Sequence, residues 1–433
     1  MGLNILFIEK KLRADKLGMC YLSSILKKAG HNVDMIQDDV DNAEEYLDCH
    51  QVDFVMYSVT TGEHQWYIQR NKELKQQFDF ISVVGGPHFT FFPEQGERDS
   101  AIDFVVRGPG ENVILDIVDR KIKDKVIMGH LSDINNLPFP DRSILYKYDE
   151  FGKARVKRFI ASRDCYHHCS FCYNHLYQQL YRDERDMFYQ RIAPHRIIEE
   201  IRQVRDEYGL ELVNFSDDDL ARNKKWITEF CKRFKKLDMS FSGSIRADSI
   251  DYHVLEQMAK AGCVFLFIGL QSANKDTLKL LRRTVMPEQV EQVCKWCNKL
   301  DIKVRVENMI GLPVKNPLQD ALDTLEFNMK LGIDDSWSSI FQPFPKTELW
   351  RYCVDQKLID ADTDIVRFYD STVLHIPDAE KINRLHKWWY FIVKHNLPRK
   401  LVDVLLEIPI DTEISEKMWN LRWKIAAEEL YGL

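Results

Sequence analysis

The sequence predicts an α/β protein in which two parallel-sheet domains follow one another, with a helical region after them. Three observations predict it. Short apolar runs alternate with stretches of helical periodicity from Asn4 onward, and alternation on that scale builds βαβ units and a parallel sheet. The rhythm stops over Leu131 to Tyr148, where Leu137-Pro138-Phe139-Pro140-Asp141 suits neither a helix nor a central strand, because proline fixes φ and lacks an N–H. It resumes at Arg158 with a second set of strand and helix signals. The expected organisation is a Rossmann-like domain over 1–130, a linker over 131–157, a second α/β domain over 158–354 and a helical region over 355–433.

In the first set, Asn4–Glu9 reads as a buried strand. Leu17–Lys28 reads as a helix with Leu22, Ile25, Leu26 and Ala29 on one face, ended by Gly30. Strands follow at Val33–Ile36, Val52–Val59 and Phe80–Val84, with a helix over Trp66–Phe78 before the last of them. Ligands of such sheets bind beyond the carboxyl ends of the strands. Those ends carry Gly18, Ser58-Val59-Thr60-Thr61 and Gly85-Gly86. The second set gives strands at Arg158–Ser162, Leu212–Ser216, Ser240–Ile245, Cys263–Gly269, Ile302–Met309 and Ser336–Phe341. Helices are expected at Pro194–Tyr208, Lys225–Lys236, Tyr252–Ala261, Glu288–Leu300 and Leu318–Leu331. The C-terminal region is rich in aromatics, with Trp388-Trp389-Tyr390-Phe391, Trp419 and Trp423. Core packing is the expectation for this stripe, ahead of contact with a membrane or lipid.

Composition narrows the class. A formal charge of −7 supplies no overall basic field for nucleic acid. The start opens into a strand without a signal peptide, and no apolar run approaches the ~20 residues of a membrane span. Of ten cysteines, seven are scattered at Cys20, Cys49, Cys231, Cys263, Cys294, Cys297 and Cys353, which is no disulfide framework. A reducing cytoplasmic interior fits them. Cys294 and Cys297 share a helix face, and small buried residues are the expectation there rather than a redox pair.

The other three stand together in Cys165-Tyr166-His167-His168-Cys169-Ser170-Phe171-Cys172. Three thiolates at this spacing can hold three irons of a cubane cluster and leave the fourth open for a ligand. A zinc knuckle completed by His167, His168 or His175 is the alternative, without the two-plus-two ligand pattern of most structural zinc sites.

C-x3-C-x2-C with an aromatic before the last cysteine resembles the signature of the radical SAM superfamily, and Ala161-Ser162-Arg163-Asp164 before it resembles the end of that family's first barrel strand. The resemblance implies a partial (β/α)6 TIM-like barrel with a [4Fe-4S] cluster on Cys165, Cys169 and Cys172, and S-adenosylmethionine on the open iron. It further implies SAM-binding roles for Phe171 and for Asp217 and Asp218 near the amino group; for each Asp, a place in an acidic run at a helix start is the equal alternative. Arg246 would sit on the carboxylate. Gln271 stands where relatives commonly carry Glu. Ile310, Gly311 and Pro313 would lie on the adenine side. Gln342-Pro343-Phe344-Pro345-Lys346-Thr347-Glu348-Leu349 resembles the family's P-G-T-x-L segment, with Lys346 in place of Gly.

The first 115 or so residues resemble the cobalamin-binding domain found ahead of many such enzymes. The likeness rests on Gly18 and Met19, on Ser58, Thr60 and Thr61, on Gly85-Gly86-Pro87-His88, and on Gly108 and Glu111. The D-x-H-x-x-G motif that gives a histidine to cobalt in many cobalamin proteins is absent. His64 in the following loop is a candidate for the lower face of cobalt, or a solvated loop residue. The whole resemblance implies a cobalamin-dependent radical SAM enzyme, foremost a C-methyltransferase acting through a 5′-deoxyadenosyl radical and methylcobalamin at a site between the domains. It implies a small-molecule or peptide substrate and a flavodoxin- or ferredoxin-type electron donor. Cyclisation, rearrangement and methylthiolation on the same scaffold remain open, as does a non-catalytic cobalamin or iron–sulfur sensor. Neither the catalytic residues nor the substrate is readable.

Overall fold

The computed structural model describes residues 2–163 and 165–431, with the side chains of Thr412, Trp423 and 426–431 outside the description. Asp164, in the flank of the cysteine motif, therefore lies outside the described residues, as does the side chain of Trp423. The chain divides into two compact units, Met1–Ile160 with Tyr181–Glu211, and Ala161–Leu180 with Leu212–Leu433.

The first sheet contains β1 (Asn4–Glu9), β2 (Asn32–Gln37), β3 (Phe54–Ser58), β4 (Ile81–Gly85), β5 (Phe104–Arg107) and β6 (Val126–Met128), in the order β2-β1-β3-β4-β5-β6. Every pairing is parallel. Strand order reverses between β1 and β3, and ligands of doubly wound sheets enter at that switch point. The loops after β1 and β3, with Gly18 and Ser58 to Thr61, flank it. The short β6, with three residues, escapes the periodicity because three residues cannot display alternation.

Helix Leu17–Lys28 forms as expected but buries a rotated face: Met19, Cys20, Tyr21, Ser23 and Leu26 are inside, and Ala29 is exposed. The proline-bearing segment causes this. Asp141 N donates to Cys20 O at 2.9 Å, and Ser23 Oγ donates to Asp141 Oδ2 at 2.6 Å. That segment also buries Arg142, which pairs with Glu200 at 2.9 Å and stacks 4.4 Å over Phe159.

The second sheet contains β7 (Val156–Phe159), β8 (Leu212–Phe215), β9 (Ser240–Ile245), β10 (Cys263–Gln271), β11 (Lys303–Ile310) and β12 (Asp335–Ile340), in the order β12-β11-β10-β9-β8-β7. Sequential order with helices between strands makes it a half-barrel. Helices Pro194–Tyr208, Pro287–Lys299 and Pro317–Lys330 start on proline, whose missing N–H costs nothing there. Those at Lys224–Phe234, Tyr252–Lys260 and Lys275–Leu280 are capped by Asn223, Asp251 and Asn274. Helix Ala379–Lys394 buries Trp389 and Tyr390, and Trp389 Nε1 donates to Ser336 Oγ at 2.8 Å. The aromatic stripe is thus largely core. Among the described residues no helix is long and apolar enough to cross a membrane.

Candidate active site

The cysteine loop lies between β7 and helix Asn174–Leu180. It is pinned from three sides: Ser170 N donates to Leu281 O at 3.0 Å, Ser170 Oγ to Leu280 O at 2.8 Å, and Leu349 N to Ser170 O at 2.9 Å. Gln178 Nε2 donates to Cys165 O at 2.6 Å and to His167 O at 3.3 Å. Cys169 is buried, and Cys165 and Cys172 are half-buried. Burial pushes Cys165 up to about 11 and Cys172 up to about 12. As thiolates they need positive charge beside them, which bound metal supplies. Among the described residues no three His, Cys, Asp or Glu converge as ligands of a single ion; a cubane takes its thiolates on separate irons. Burial, with Arg246 close by, pushes His167 down to about 4, which keeps that ring neutral.

Two arginines stand beside this loop. Arg246, at the end of β9, is buried, and its Nε and Nη2 fork onto Asp248 at 3.0 and 2.7 Å. Nη2 also reaches Thr284 Oγ1 at 2.7 Å. That edge is already committed, so the clamp expected of Arg246 is reduced to Nη1. Sequence reasoning missed Arg283. Its Nη2 donates to Gly269 O, its Nη1 lies 4.0 Å from Cys169 Sγ, and its buried Nε has no hydrogen-bond partner among the described residues. A Cβ on Gly269 would lie 2.7 Å from Arg283 Nη2 and 2.9 Å from Gln271 Nε2, so the glycine makes room for both side chains. Gln271 itself takes a positive φ of 77°, which turns the end of β10. The only signal for Arg283 was its place shortly after that strand end, and an Arg-Arg pair after a helix reads as a solvated surface.

The acidic run after β8 divides by role. Asp217 is buried, and its oxygens accept from Ala161 N at 2.9 Å and from Ser162 Oγ. It therefore anchors the approach to the cysteine loop. Asp218 accepts from Asn174 Nδ2 at 3.1 Å and remains accessible, although surrounding protein raises its pKa. That combination marks a carboxylate in a concavity. Phe171 is half-buried against the apolar cluster that includes Leu281 and Ile310. Ile310, Gly311 and Pro313 are all buried, and Gly311 takes φ 71° beneath Ile382 and Ile376.

In the first unit, the loops after β3 and β4 interlock. Val59 N donates to Gly85 O at 3.0 Å and His88 N to Val59 O at 2.9 Å. Gly86 holds φ 86°, and a Cβ there would lie 2.7 Å from Val59 N. Only glycine permits that approach. Ser58, Thr60, Thr61 and Gly85 are half-buried at the strand ends, and Pro87 is exposed at the first turn of helix Gly86–Phe91. Gly18 is exposed with open space where its Cβ would stand, and Met19 beside it is buried. Gly108, at φ 86°, leaves room for the Tyr181 hydroxyl, which donates to Gly129 O at 2.7 Å; Glu111 is half-buried nearby in sequence. His64 is neither in a loop nor solvated. It is the first residue of helix His64–Lys75, is buried, and stacks on His88 at 4.0 Å. His88 in turn meets Thr61 Oγ1 at 3.2 Å and Gln95 Oε1 at 3.1 Å. Stacking in the helix start is what draws His64 inward.

The fold and these sites define a class: a doubly wound ligand-binding unit joined in one chain to a half-barrel that carries a three-cysteine loop. Residues 4–118 match the B12 binding domain and residues 159–327 the radical SAM superfamily, so both domains are found in this chain. Its cofactors are accordingly S-adenosylmethionine with a [4Fe-4S] cluster, and cobalamin. An uncharacterised methyltransferase of Pyrococcus horikoshii is 28% identical over 379 residues, 79% of each chain. The fold resembles that of the radical S-adenosylmethionine methyltransferase TsrM from Kitasatospora setae, at 14% identity, TM-score 0.67, 82% of this chain and 75% of that one. It also resembles the cobalamin-dependent radical enzyme OxsB, at 14% identity, TM-score 0.71, 99% of this chain and 72% of that one.

Proposed function

We propose that this chain is a cobalamin-dependent radical SAM methyltransferase that places a methyl group on an unactivated carbon. The observation that carries the reading is the coexistence, in one chain, of the pinned cysteine loop beside the orphaned Arg283 Nε and the glycine-dependent loops at the switch point of the first sheet. Cys165, Cys169 and Cys172 hold the cluster in this reading. Arg283 Nε, with what remains of Arg246, receives the SAM carboxylate by charge-assisted hydrogen bonds. Asp218 accepts from the SAM ammonium, Gln271 bonds its polar groups, and the Ile310-Gly311-Leu312-Pro313 backbone meets the adenine. In the first unit, Gly18, the Ser58 to Thr61 loop and Gly85-Gly86 cradle the cobalamin tail. The bound cofactors supply the radical and the methyl group. The chain holds them in place, keeps His167 neutral, and excludes water.

The relative from Pyrococcus horikoshii is called a methyltransferase, which supports this outcome. A small-molecule or peptide substrate and a flavodoxin- or ferredoxin-type donor complete the proposal. The test is product mass spectrometry on extracts of the native host with and without the gene. The reading expects a pair of compounds 14 mass units apart that differ between the two. A difference that involves ring closure without added mass of one methylene would replace methylation with cyclisation.

A further inference from the structure

Arg283 reaches the cysteine loop because the chain turns sharply just before it. Helix Lys275–Leu280 stops with Arg282 in the left-handed region, at φ 50°. Arg283 N then donates back to Leu278 O at 2.8 Å, and Arg282 N to Lys279 O at 3.0 Å, the paired bonds of a left-handed helix stop. The turn sends consecutive arginines apart. Arg282 is exposed and pairs with Glu348 at 2.8 Å, whereas Arg283 is half-buried at the carboxyl end of β10, where it bonds Gly269 O.

The three cysteine sulfurs are met differently. Asn174 N donates to Cys172 Sγ at 3.5 Å, and the His167 N–H faces Cys165. Both donors are neutral peptide groups two residues further along. Cys169 is buried where the other two are half-buried, and its sulfur is met by a full charge, Arg283 Nη1 at 4.0 Å. Arg246, Asp248 and Glu307 also face this guanidinium. With Arg283 they are two positive and two negative groups, which offset one another at a distance. Among the described residues Arg283 alone of the four bonds the Cys169 sulfur, and Coulomb energy grows as separation falls.

We propose that Arg283 tunes the [4Fe-4S] cluster through Cys169, holding its reduction potential above the value that the cysteine loop alone would give. Reduction moves one electron from an external low-potential donor onto the cluster, from [4Fe-4S]²⁺ to [4Fe-4S]⁺, with no bond made or broken. The added negative charge then lies beside a guanidinium that stays protonated, so the reduced state gains more from it than the oxidised state does. Net charge and hydrogen bonds to the sulfurs are the means by which a protein sets such potentials. Arg283 is thus a positioning residue that acts through a cluster ligand, by a different edge of its fork from the Nε assigned to SAM. The inference rests on the cluster being held by Cys165, Cys169 and Cys172, and adds control of its potential to that reading.

The test is a redox titration of the anaerobically reconstituted full chain without SAM, cobalamin or substrate, read from the paramagnetic resonance signal of the reduced cluster. Arg283→Gln should lower the reduction equilibrium about tenfold, a negative shift of about 59 mV for one electron. Arg283→Lys keeps the charge and should recover at least half of that shift. Arg282→Gln removes the same charge from the exposed neighbour and should leave the midpoint in place. The Arg283 shift should persist in concentrated salt, because enclosed charges are screened little. If Arg283→Gln holds no cluster, Gly269→Ala reads the same contact. Its Cβ would lie 2.7 Å from Arg283 Nη2 and displace the guanidinium with the charge intact, and the midpoint should again fall. A midpoint unmoved by Arg283→Gln, an equal fall in Arg282→Gln, or no recovery in Arg283→Lys would overturn the inference, as would an unmoved midpoint in Gly269→Ala where that variant is the one read. A chain that shows the shift but never yields a methylated product refutes the proposed function and leaves the tuning standing. A chain that methylates with a midpoint indifferent to Arg283→Gln does the reverse.

Discussion

At Gly86 the first unit has no tolerance for a side chain. The residue is at φ 86°, and its neighbours are backbone atoms of Val59, which cannot swing aside. Gly86→Ala should cost about 1–3 kcal/mol of stability in urea unfolding and should lower the cobalamin retained after gel filtration. A wild-type midpoint would mean that the two loops do not approach so closely. At the other site, Arg283→Ala should weaken SAM binding by about 1.5–3 kcal/mol, the worth of a charge-assisted hydrogen bond, with iron content unchanged. Arg246→Ala, by contrast, unpairs Asp248 and should show its effect first in thermal stability. Calorimetric titration with SAM beside melting curves separates the two. Replacing Cys165, Cys169 and Cys172 together by Ala should abolish iron binding, and an intact visible spectrum would place the ligands elsewhere. The cysteines and glycines were legible because spacing and φ requirements are local. Arg283 was not, because Cys169, its neighbour across the site, lies 114 positions earlier in the chain. The partners of Asp217 and Arg246 were not legible, because hydrogen bonds to Ala161 N and Asp248 are tertiary facts.

Strands and helices were legible wherever a single period governed them. β1 and helix Leu17–Lys28 fall on their expected ends, and the six strands of the second sheet fall close to theirs. What periodicity misjudged was burial: Ala29 is exposed and Ser23 is inside, because a proline-rich segment far along the chain covers that helix. His64 was misplaced for the same kind of reason. Its ring is held by His88, and His88 by Thr61 and Gln95. With the buried His64 ring held face to face against His88, the cobalt(II) form of bound cobalamin should show no threefold nitrogen splitting from this domain in its paramagnetic resonance spectrum. Threefold splitting that disappears in His64→Ala would reject that arrangement. Helix Ala379–Lys394 makes a separate prediction. Burial pushes His386 down to about 3. The unfolded chain takes up that proton near pH 6.5, and the folded chain does not until about pH 3. The unfolded state therefore binds more protons in between, and stability is lost as pH falls through that window, by up to about 1.4 kcal/mol per pH unit from this one group. His386→Gln should flatten the acid limb of urea midpoints measured across pH 7 to 4, and an unchanged slope would show that another group sets it.

On the scale of the molecule, two units of different architecture each present their functional loops at the carboxyl ends of parallel strands. Each can be stated by itself: a switch point with glycine-dependent loops in one, and a half-barrel sheet with a cysteine loop in the other. An orphaned, buried Arg283 Nε costs stability without a ligand to meet it. The central claim is that both units work in one reaction. The most direct measurement supplies the anaerobically reconstituted chain with SAM and a low-potential reductant, with and without cobalamin, and quantifies 5′-deoxyadenosine and S-adenosylhomocysteine by mass spectrometry. The account predicts 5′-deoxyadenosine in both samples and S-adenosylhomocysteine only where cobalamin is present, with neither product in the triple cysteine variant. S-adenosylhomocysteine formed equally without cobalamin, or no 5′-deoxyadenosine from a fully loaded cluster, would contradict it.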